Sequence, residues 1–494
     1  MYENVYLGAK CSDPSFFKSY LGTKQGAVES PTLFNIFIND IPNIFDNSSC
    51  DPVNLCGKEL NCLMYADDLV LISKSKSGLQ KCLDCLGEYT NKWHLVVNIA
   101  KSKTMVVNST GRLSKEQFIF LDNVLENVRE YNYLGIVFSC SGSFEIAKQT
   151  LKDKGRKAMW KLRNILRGKN FGCEIPLKLF EQTVLPVLLY GAEIWSVLSD
   201  QRLKKDIDCD IESLCDIPQE NIHMSFCKFV LGVGKNATHN GIIGELGRFP
   251  LYIEATVRLL KYFVRVKSAP NNSLLNVSYR ESVRLHNTGG ITWFSNVIRV
   301  LKRTNTLNLL LELNDRNVDK HCEHIREKLK ERFNKKWKAD MTTQRRDESN
   351  PKLRTYAKFK NNIEPEKYLK VIKDPDLRRA LVKFRISAHN LHIEIGRYRP
   401  RQHRLKPEER KCQICNNDKI DDEFHCVMEC LGSVEDRESL FENISLDMST
   451  GDKWDLFIKT MKSEDDGTLL NLAKLVYKAQ EIRNPKDKDT TPRP

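Results

Sequence analysis

The sequence predicts an α+β protein with its strands early and its helices late. Three observations carry that reading. Up to about residue 145, short apolar runs alternate with amphipathic stretches. Beyond about residue 146, apolar residues recur at helical spacing. Between residues 412 and 430, cysteines and a histidine stand at metal-ligand spacing.

The chain has 494 residues, too many for one hydrophobic core, so about two to four domains are expected. An apolar fraction of 41% supports folded domains rather than general disorder. Lys and Arg number 78 against 64 Asp and Glu, a formal net charge of +14. That excess favours a polyanion, most simply nucleic acid, although a merely basic soluble protein has the same balance. The 16 cysteines are scattered and show no small-domain disulfide framework. The chain opens without a charged segment followed by an apolar core, so no secretory signal is expected. The longest apolar stretch, VLPVLLYGAEIWSVL, is too short for a membrane span and contains Glu193. The expectation is a reducing compartment, nucleus and cytoplasm, with no membrane partner.

Taken in order, ESPTLFNIFINDIPNIF predicts a helix capped by Ser30, with Pro31 in its first turn. Leu33, Phe34, Phe37 and Ile41 would share one face. CLMY and LVLIS read as two short strands around Asp67 and Asp68. SGLQKCLDCLGEYTNKW reads as a helix, and HLVVN, KTMVV and YNYLGIVFS as strands. AKQTLKDKGRKAMWKLRNILRG predicts a helix with Leu151, Ala158, Leu162 and Ile165 inward. Lys148, Lys152, Arg156, Lys157, Lys161 and Arg163 would occupy its other faces. PLKLFEQTVLPVLLYGAEIWS is helical but broken or bent at Pro186. In EHIREKLKERFNKKWK, Ile325, Leu329, Phe333 and Trp337 repeat every four residues on a charged background, an amphipathic helix. MTTQRRDESNPK is expected to be a linker and NPKDKDTTPRP a disordered tail.

The adjacent acids invite chemistry. At the tip of a strand–turn–strand, two carboxylates can converge on a cation while the flanking strands stay buried. Mg²⁺ is held by one or two carboxylates plus substrate phosphates, and paired ions align the oxygens of phosphoryl transfer. A bare Asp-Asp in a solvated turn is the plainer account.

Context changes the balance. The ordered set resembles the reverse transcriptases of non-LTR (LINE-type) retrotransposons. Their motif B runs Gly-x-x-Gln-Gly, then Ser-Pro, then Leu-Phe, matched here by Gly22, Gln25, Gly26, Ser30, Pro31, Leu33 and Phe34. Their motif C is Tyr/Phe-Ala-Asp-Asp, matched by Tyr65 to Asp68. Motif D is similar to LVVNIAKSKTMVV, with Asn98, Lys101 and Lys103, and YNYLGIVFS looks like the strand that follows the palm. The resemblance implies a partial right-hand polymerase palm with a helical thumb. It implies that Asp67 and Asp68 bind catalytic Mg²⁺ or Mn²⁺, and that Gln25 and Gly26 line the template and nucleotide pocket. Lys101 would contact nucleotide phosphates, although it and Lys103 also suit a solvated strand edge. The implied partners are an RNA template, a DNA primer and deoxynucleoside triphosphates.

The family's motif A carboxylate is expected upstream of motif B, before MYENVYLGAKCSDPSFF. Asp13 sits in a polar turn context and does not fill that role. The expectation is an N-terminally truncated element or an incomplete gene model, inactive alone.

KCQICNNDKIDDEFHCVMEC pairs Cys412 and Cys415 two residues apart, and His425 and Cys430 four apart. Three thiolates and one imidazole satisfy a closed tetrahedral Zn²⁺ site. Cys426 is an alternative ligand, and helical phasing speaks against a second site at His321, Cys322 and His324. Many non-LTR transcriptases carry such a zinc knuckle after a helical region. Arg397, Tyr398, Arg399, Arg401 and Arg404 precede it and suit phosphates and a stacked base.

The expected domains are a truncated palm at 1–145, a helical thumb at 146–265, a helical linker region at 266–400, the knuckle at 401–435, and C-terminal helices with a tail at 436–494. The leading reading is the C-terminal part of a retrotransposon RNA-directed DNA polymerase. The alternatives are a non-catalytic nucleic-acid-binding protein derived from such an element, and a zinc adaptor that binds proteins.

Overall fold

The computed structural model describes residues 5–8, 16–19, 28–46, 50–196, 217–314, 316–342, 351–398, 405–442 and 450–483. Gly22, Gln25, Gly26, Arg399, Arg401, Arg404, most of the expected linker and the terminal tail lie outside them. The chain separates into two compact units, residues 1–146 with 266–295, and residues 147–265 with 296–494. The helix Leu251–Ser268 runs through residue 265 without a break, so the boundary expected there falls inside a helix.

Among the described residues, all named strands belong to the first unit. β1 (Val5–Gly8) pairs antiparallel with β2 (Phe16–Ser19), followed by α1 (Ser30–Phe37). β3 (Val53–Leu55) pairs with β4 (Lys58–Leu60), and β5 (Cys62–Tyr65) with β6 (Asp68–Leu71). After α2 (Lys76–Trp93) come β7 (Lys103–Thr104), β8 (Phe118–Phe120) and β9 (Asn123–Asn127), with β9 in the centre of the three. β10 (Glu130–Tyr133) and β11 (Ile136–Ser139) form a last hairpin.

The apolar residues explain the packing. Ile38, Ile41, Phe45, Cys50, Cys82 and Tyr89 form one small core, with Phe34, Phe37, Cys62, Met64, Leu69 and Leu71 against it. Leu83, Leu86, Phe118, Phe120 and Leu125 form another on the adjoining side of α2. Ser75 caps α2 by accepting from the Gly78 amide at 3.1 Å. Gly78 is required there, because a Cβ would strike the Ser73 hydroxyl and the Cys50 carbonyl.

Several local expectations are corrected. Glu29, not Ser30, is the cap residue of α1, and Ser30 is its first helical residue, with Pro31 next. HLVVN forms no strand; His94 ends α2 in the left-handed region (φ 53), and Val97 packs from an irregular segment. Only Lys103 and Thr104 of KTMVV enter a ladder. YNYLGIVFS is a hairpin rather than one strand, turning at Leu134 (φ 47) and Gly135 (φ 85). Two positive φ values in a two-residue turn match the twist of the flanking strands.

The second unit is helical among the described residues apart from isolated bridges. α3 (Glu145–Leu166) buries Leu151, Gly155, Met159, Leu162 and Leu166. Ile165 is exposed and Ala158 only half-buried, so the expected face is rotated. The cause is Gly155, where a Cβ would run into Leu188 of the next helical segment. Lys148 is buried rather than on an outer face. The segment around Pro186 breaks into Glu174–Thr183, Leu185–Leu188 and Ala192–Trp195.

In the helix Val318–Thr342, Ile325, Leu329 and Trp337 are buried as their spacing predicts, and Phe333 is half-buried. Trp337 donates from its indole to the Asn240 carbonyl at 2.8 Å and meets Tyr356 edge-on. The last helix, Asp466–Arg483, packs on Pro375–Arg385 and on the small helix Glu423–Met428. Among the described residues, no helix is long and apolar enough to cross a membrane.

Candidate functional site

The Tyr65-Ala66-Asp67-Asp68 stretch is a tight hairpin tip. Its register pairs Cys62 with Leu71, Leu63 with Val70, Met64 with Leu69 and Tyr65 with Asp68. Side chains alternate along each strand. Cys62, Met64, Leu69 and Leu71 therefore face the core, as their packing shows. Tyr65 and Asp68 belong to the opposite face, with Leu63 and Val70. Ala66 adopts φ 52, in the left-handed region, and Asp67 follows it in the turn. All four tip residues are exposed. The acids in the apolar run are thus not buried charges; the greasy neighbours anchor a projecting pair of carboxylates.

Two further features belong to the same unit. The Tyr133 phenol of β10 is pushed up by burial and further by the charge of the Asp68 carboxylate. Tyr131, on the same strand, donates its hydroxyl to the Lys101 carbonyl at 3.4 Å. Lys101 is exposed, and its amide donates to the Asn98 side chain at 3.1 Å. Lys103 differs: its ammonium lies 2.7 Å from Glu126, its partner across the ladder. Lys103 is therefore part of a strand-edge ion pair, while the Lys101 ammonium has no partner among the described residues.

The second candidate site lies in the other unit. Cys412, Cys415, His425 and Cys430 bring one ligand atom each to within 4.8 Å of one another. The Cys412 and Cys430 sulfurs are 3.9 Å apart, and the Cys415 sulfur lies 3.4 Å from His425 Nε2. A bridge between Lys411 and Ile420 closes the loop that carries the first pair. Asn416 and Asp418 take the positive φ values that this short turn demands. Asp422 caps the helix Glu423–Met428 by accepting from the His425 amide at 2.9 Å, which sets the ring over the cysteines. Cys426 is buried but stands outside the four.

Outer contacts complete the cluster. Glu429 lies 3.3 Å from His425 Nδ1, so that nitrogen donates and Nε2 turns its lone pair inward. Arg483 reaches the Cys412 and Cys430 sulfurs at 3.7 Å each and holds Asp421 at 2.7 Å. Burial works against ionising Cys430, but the His425 hydrogen bond and Arg483 outweigh it and pull the thiol down. Burial pushes the Cys412 thiol up. The spacing pointed to the four residues that the fold brings together, and it also contained Glu429, one helical turn beyond His425. Nothing local pointed to Arg483.

Other expected contacts fare unevenly. Arg397 is bound to Glu394 through two nitrogens at 3.1 Å each, an internal ion pair rather than an open phosphate contact. Lys157 and Lys161 are exposed on α3 as expected. Arg163 is half-buried, 5.0 Å from the Trp160 ring and 4.9 Å from the Phe229 ring, with a hydrogen bond to the Ser225 carbonyl. Trp160 itself is 53% exposed, leaving an aromatic surface between basic side chains.

A core-anchored hairpin that projects two adjacent carboxylates is suited to holding a divalent cation. Residues 2–138 match the reverse transcriptase (RNA-dependent DNA polymerase) family, so this stretch is a reverse transcriptase domain. The chain is 27% identical over 191 residues to the RNA-directed DNA polymerase from mobile element jockey of Drosophila funebris, a match covering 37% of this chain and 20% of the relative. It is 29% identical over 163 residues to the Pol polyprotein from type-1 retrotransposable element R2 of Bradysia coprophila, covering 31% and 18%. The corresponding R2 protein of Popillia japonica is 27% identical over 194 residues, covering 38% and 26%. The chain thus spans about a fifth to a quarter of the length of these relatives.

Proposed function

We propose that this chain is the C-terminal part of a non-LTR retrotransposon reverse transcriptase. Its palm would act in RNA-templated DNA synthesis. The observation that carries the reading is the hairpin tip, where a core-anchored strand pair presents Asp67 and Asp68 to solvent. Asp67 and Asp68 would hold divalent cations. Such ions neutralise phosphate charge and lower the barrier to attack by a primer hydroxyl. Lys101 would supply an ammonium, without a partner among the described residues, for the nucleotide phosphates, and Gln25 and Gly26 match the family's template and nucleotide pocket. The test is primer extension on an RNA template with Mg²⁺ or Mn²⁺. It is run on residues 1–494 and on a longer polypeptide that adds a motif A carboxylate, each with Asp67→Asn. Extension that survives Asp67→Asn would refute the role of the hairpin.

The Cys412, Cys415, His425 and Cys430 cluster fits Zn²⁺. Bond lengths of about 2.3 Å to sulfur and 2.0–2.1 Å to nitrogen, at tetrahedral angles, place two sulfurs about 3.8 Å apart. The same geometry puts sulfur and nitrogen about 3.5 Å apart. The observed separations are 3.9 and 3.4 Å. One zinc per chain is expected by elemental analysis after purification without chelator, and Cys412→Ser should lose it and open the knuckle. A wild-type chain prepared this way and free of zinc would refute the assignment.

The binding-only alternative retains one supporting observation. Among the described residues, no third acidic, histidine or cysteine side chain joins Asp67 and Asp68 in a metal-ligand group. The longer polypeptide in the extension assay decides between the two readings.

A further inference from the structure

α3 carries a feature that charge on its own does not explain. Trp160 is 53% exposed, and among the described residues no tryptophan is more so. On the helix surface its neighbours at i−4, i−3, i+3, i+4 and i+7 are Arg156, Lys157, Arg163, Asn164 and Arg167. Arg156 meets Asp153 at 3.1 Å, while Lys157 and Arg167 have no ion-pair partner among the described residues. The patch is therefore an indole ringed by cations, with Asp153 the acid on this face of the helix.

The ring is held rather than loose. The Arg163 guanidinium lies over it, 5.0 Å from its centroid, and over the Phe229 ring at 4.9 Å. Arg163 also donates to the Ser225 carbonyl at 2.5 Å, so the helix Glu220–Leu231 fixes the guanidinium and the guanidinium fixes the indole. Among the described residues, no aromatic ring stacks on Trp160. Nor does the indole serve the core, because α3 buries Leu151, Gly155, Met159, Leu162 and Leu166 on its other side. A large aromatic kept in water at a fixed orientation has little conformational entropy still to lose when a flat ligand stacks on it.

We propose that Trp160 is a stacking platform for an unpaired base of single-stranded nucleic acid, with Lys157 and Arg167 holding phosphates on either side of the indole along the helix. The inference rests on the nucleic-acid reading of the chain and names the form of nucleic acid that α3 takes. The cations select a polyanion. The indole selects among polyanions. In a duplex each base is stacked between its neighbours and shows only its edges in the grooves, whereas a single strand offers a free π-face. Every base has such a face, so the platform reads no sequence. Stacking does not involve the sugar, so RNA and DNA strands fit alike.

The test measures affinity by fluorescence anisotropy on residues 1–494 over a range of salt concentrations. The probes are an unstructured single strand, as RNA and as DNA, and a blunt DNA duplex of the same length. Trp160→Ala should weaken both single strands by about 5–150-fold, the usual range for one stacked base, and leave the log–log salt slope as it was. It should leave duplex affinity unchanged. Trp160→Phe should keep most of the single-strand affinity and Trp160→Leu should lose it, since leucine is apolar without a π-face. Lys157→Gln with Arg167→Gln should instead weaken single strand and duplex together and lower the single-strand slope by about 1.4, at about 0.7 per phosphate contact. Thermal unfolding is run on each variant, and the exposed position of Trp160 leaves the core face of α3 untouched. Single-strand binding unchanged by Trp160→Ala, an equal loss on the duplex, or full affinity in Trp160→Leu overturns the stacking role while leaving the wider nucleic-acid reading intact. A loss confined to RNA or to DNA overturns a platform blind to the sugar. A self-associated wild type that Trp160→Ala dissolves gives the indole a protein occupant and overturns the proposal too. A wild-type chain that binds neither strand nor duplex at low salt defeats the nucleic-acid reading itself, a separate failure.

Discussion

Arg483 donates to the Cys430 sulfur at 3.7 Å from the far end of the last described helix, and grips Asp421 with the same guanidinium. The contact ties a thiolate of the Cys₃His cluster to a helix that supplies none of its ligands. A bound Zn²⁺ with three thiolates and a neutral imidazole leaves one net negative charge, and Arg483 offsets it in a buried setting. Arg483→Gln should therefore weaken zinc retention by about 10–100-fold, the usual cost of losing an outer-shell partner. Arg483→Lys, which keeps the charge without the fork, should fall between. Zinc transfer to a chromogenic chelator measures this, with thermal unfolding of each variant run alongside. Wild-type retention by a folded Arg483→Gln protein would show the contact to be incidental.

Asp67→Asn should abolish primer extension in whichever polypeptide supports it, residues 1–494 or a longer one. Removing a metal-binding carboxylate is expected to cost at least about 4 kcal/mol of barrier, or roughly a thousandfold in rate. Single-turnover rates separate this from a binding defect, since template–primer affinity should stay nearly unchanged.

Charge reversal at Lys157 and Lys161 should weaken nucleic-acid binding alike for all sequences and flatten its salt dependence. Both residues stand exposed on α3, with Trp160 between them and its ring over Arg163. Anisotropy with several unrelated oligonucleotides reads the result. An altered base preference with an unchanged salt slope would assign these lysines elsewhere.

Trp337→Ala should destabilise the second unit by about 3–5 kcal/mol, the range for deleting a buried large aromatic. Trp337 is 1% exposed, and its indole proton satisfies the Asn240 carbonyl. Trp337→Phe keeps much of the volume but orphans that carbonyl, and should cost less. Denaturant melts of the three proteins give the order.

What could be read in advance followed the range of the forces involved. The Tyr65–Asp68 hairpin was legible because its apolar residues alternate about a two-residue turn, so register and exposure follow from neighbours in sequence. The grouping of Cys412, Cys415, His425 and Cys430 was legible for the same reason, being set by one short loop and one helical turn. The face of α3 was misread because apolar type alone favoured Ala158 and Ile165. The packing instead turned on Gly155, whose missing side chain admits Leu188. β8 and β9 were missed although Phe118 and Phe120 are buried and Ile119 is exposed, an alternation too short to stand out from the loop around it. Arg483 was beyond reach, because its partner lies 53 residues earlier and only the tertiary fold brings them together.

That separation has a temporal side. Translation at about 5–20 residues per second delivers Arg483 roughly 3–10 s after Cys430. All four donors of the cluster emerge within residues 412–430, well before the helix that closes over them. If the cluster takes zinc as proposed, a nascent chain presents all four donors while the covering arginine is still unmade, so metal can be loaded before it is locked in, an order that follows from the direction of protein synthesis.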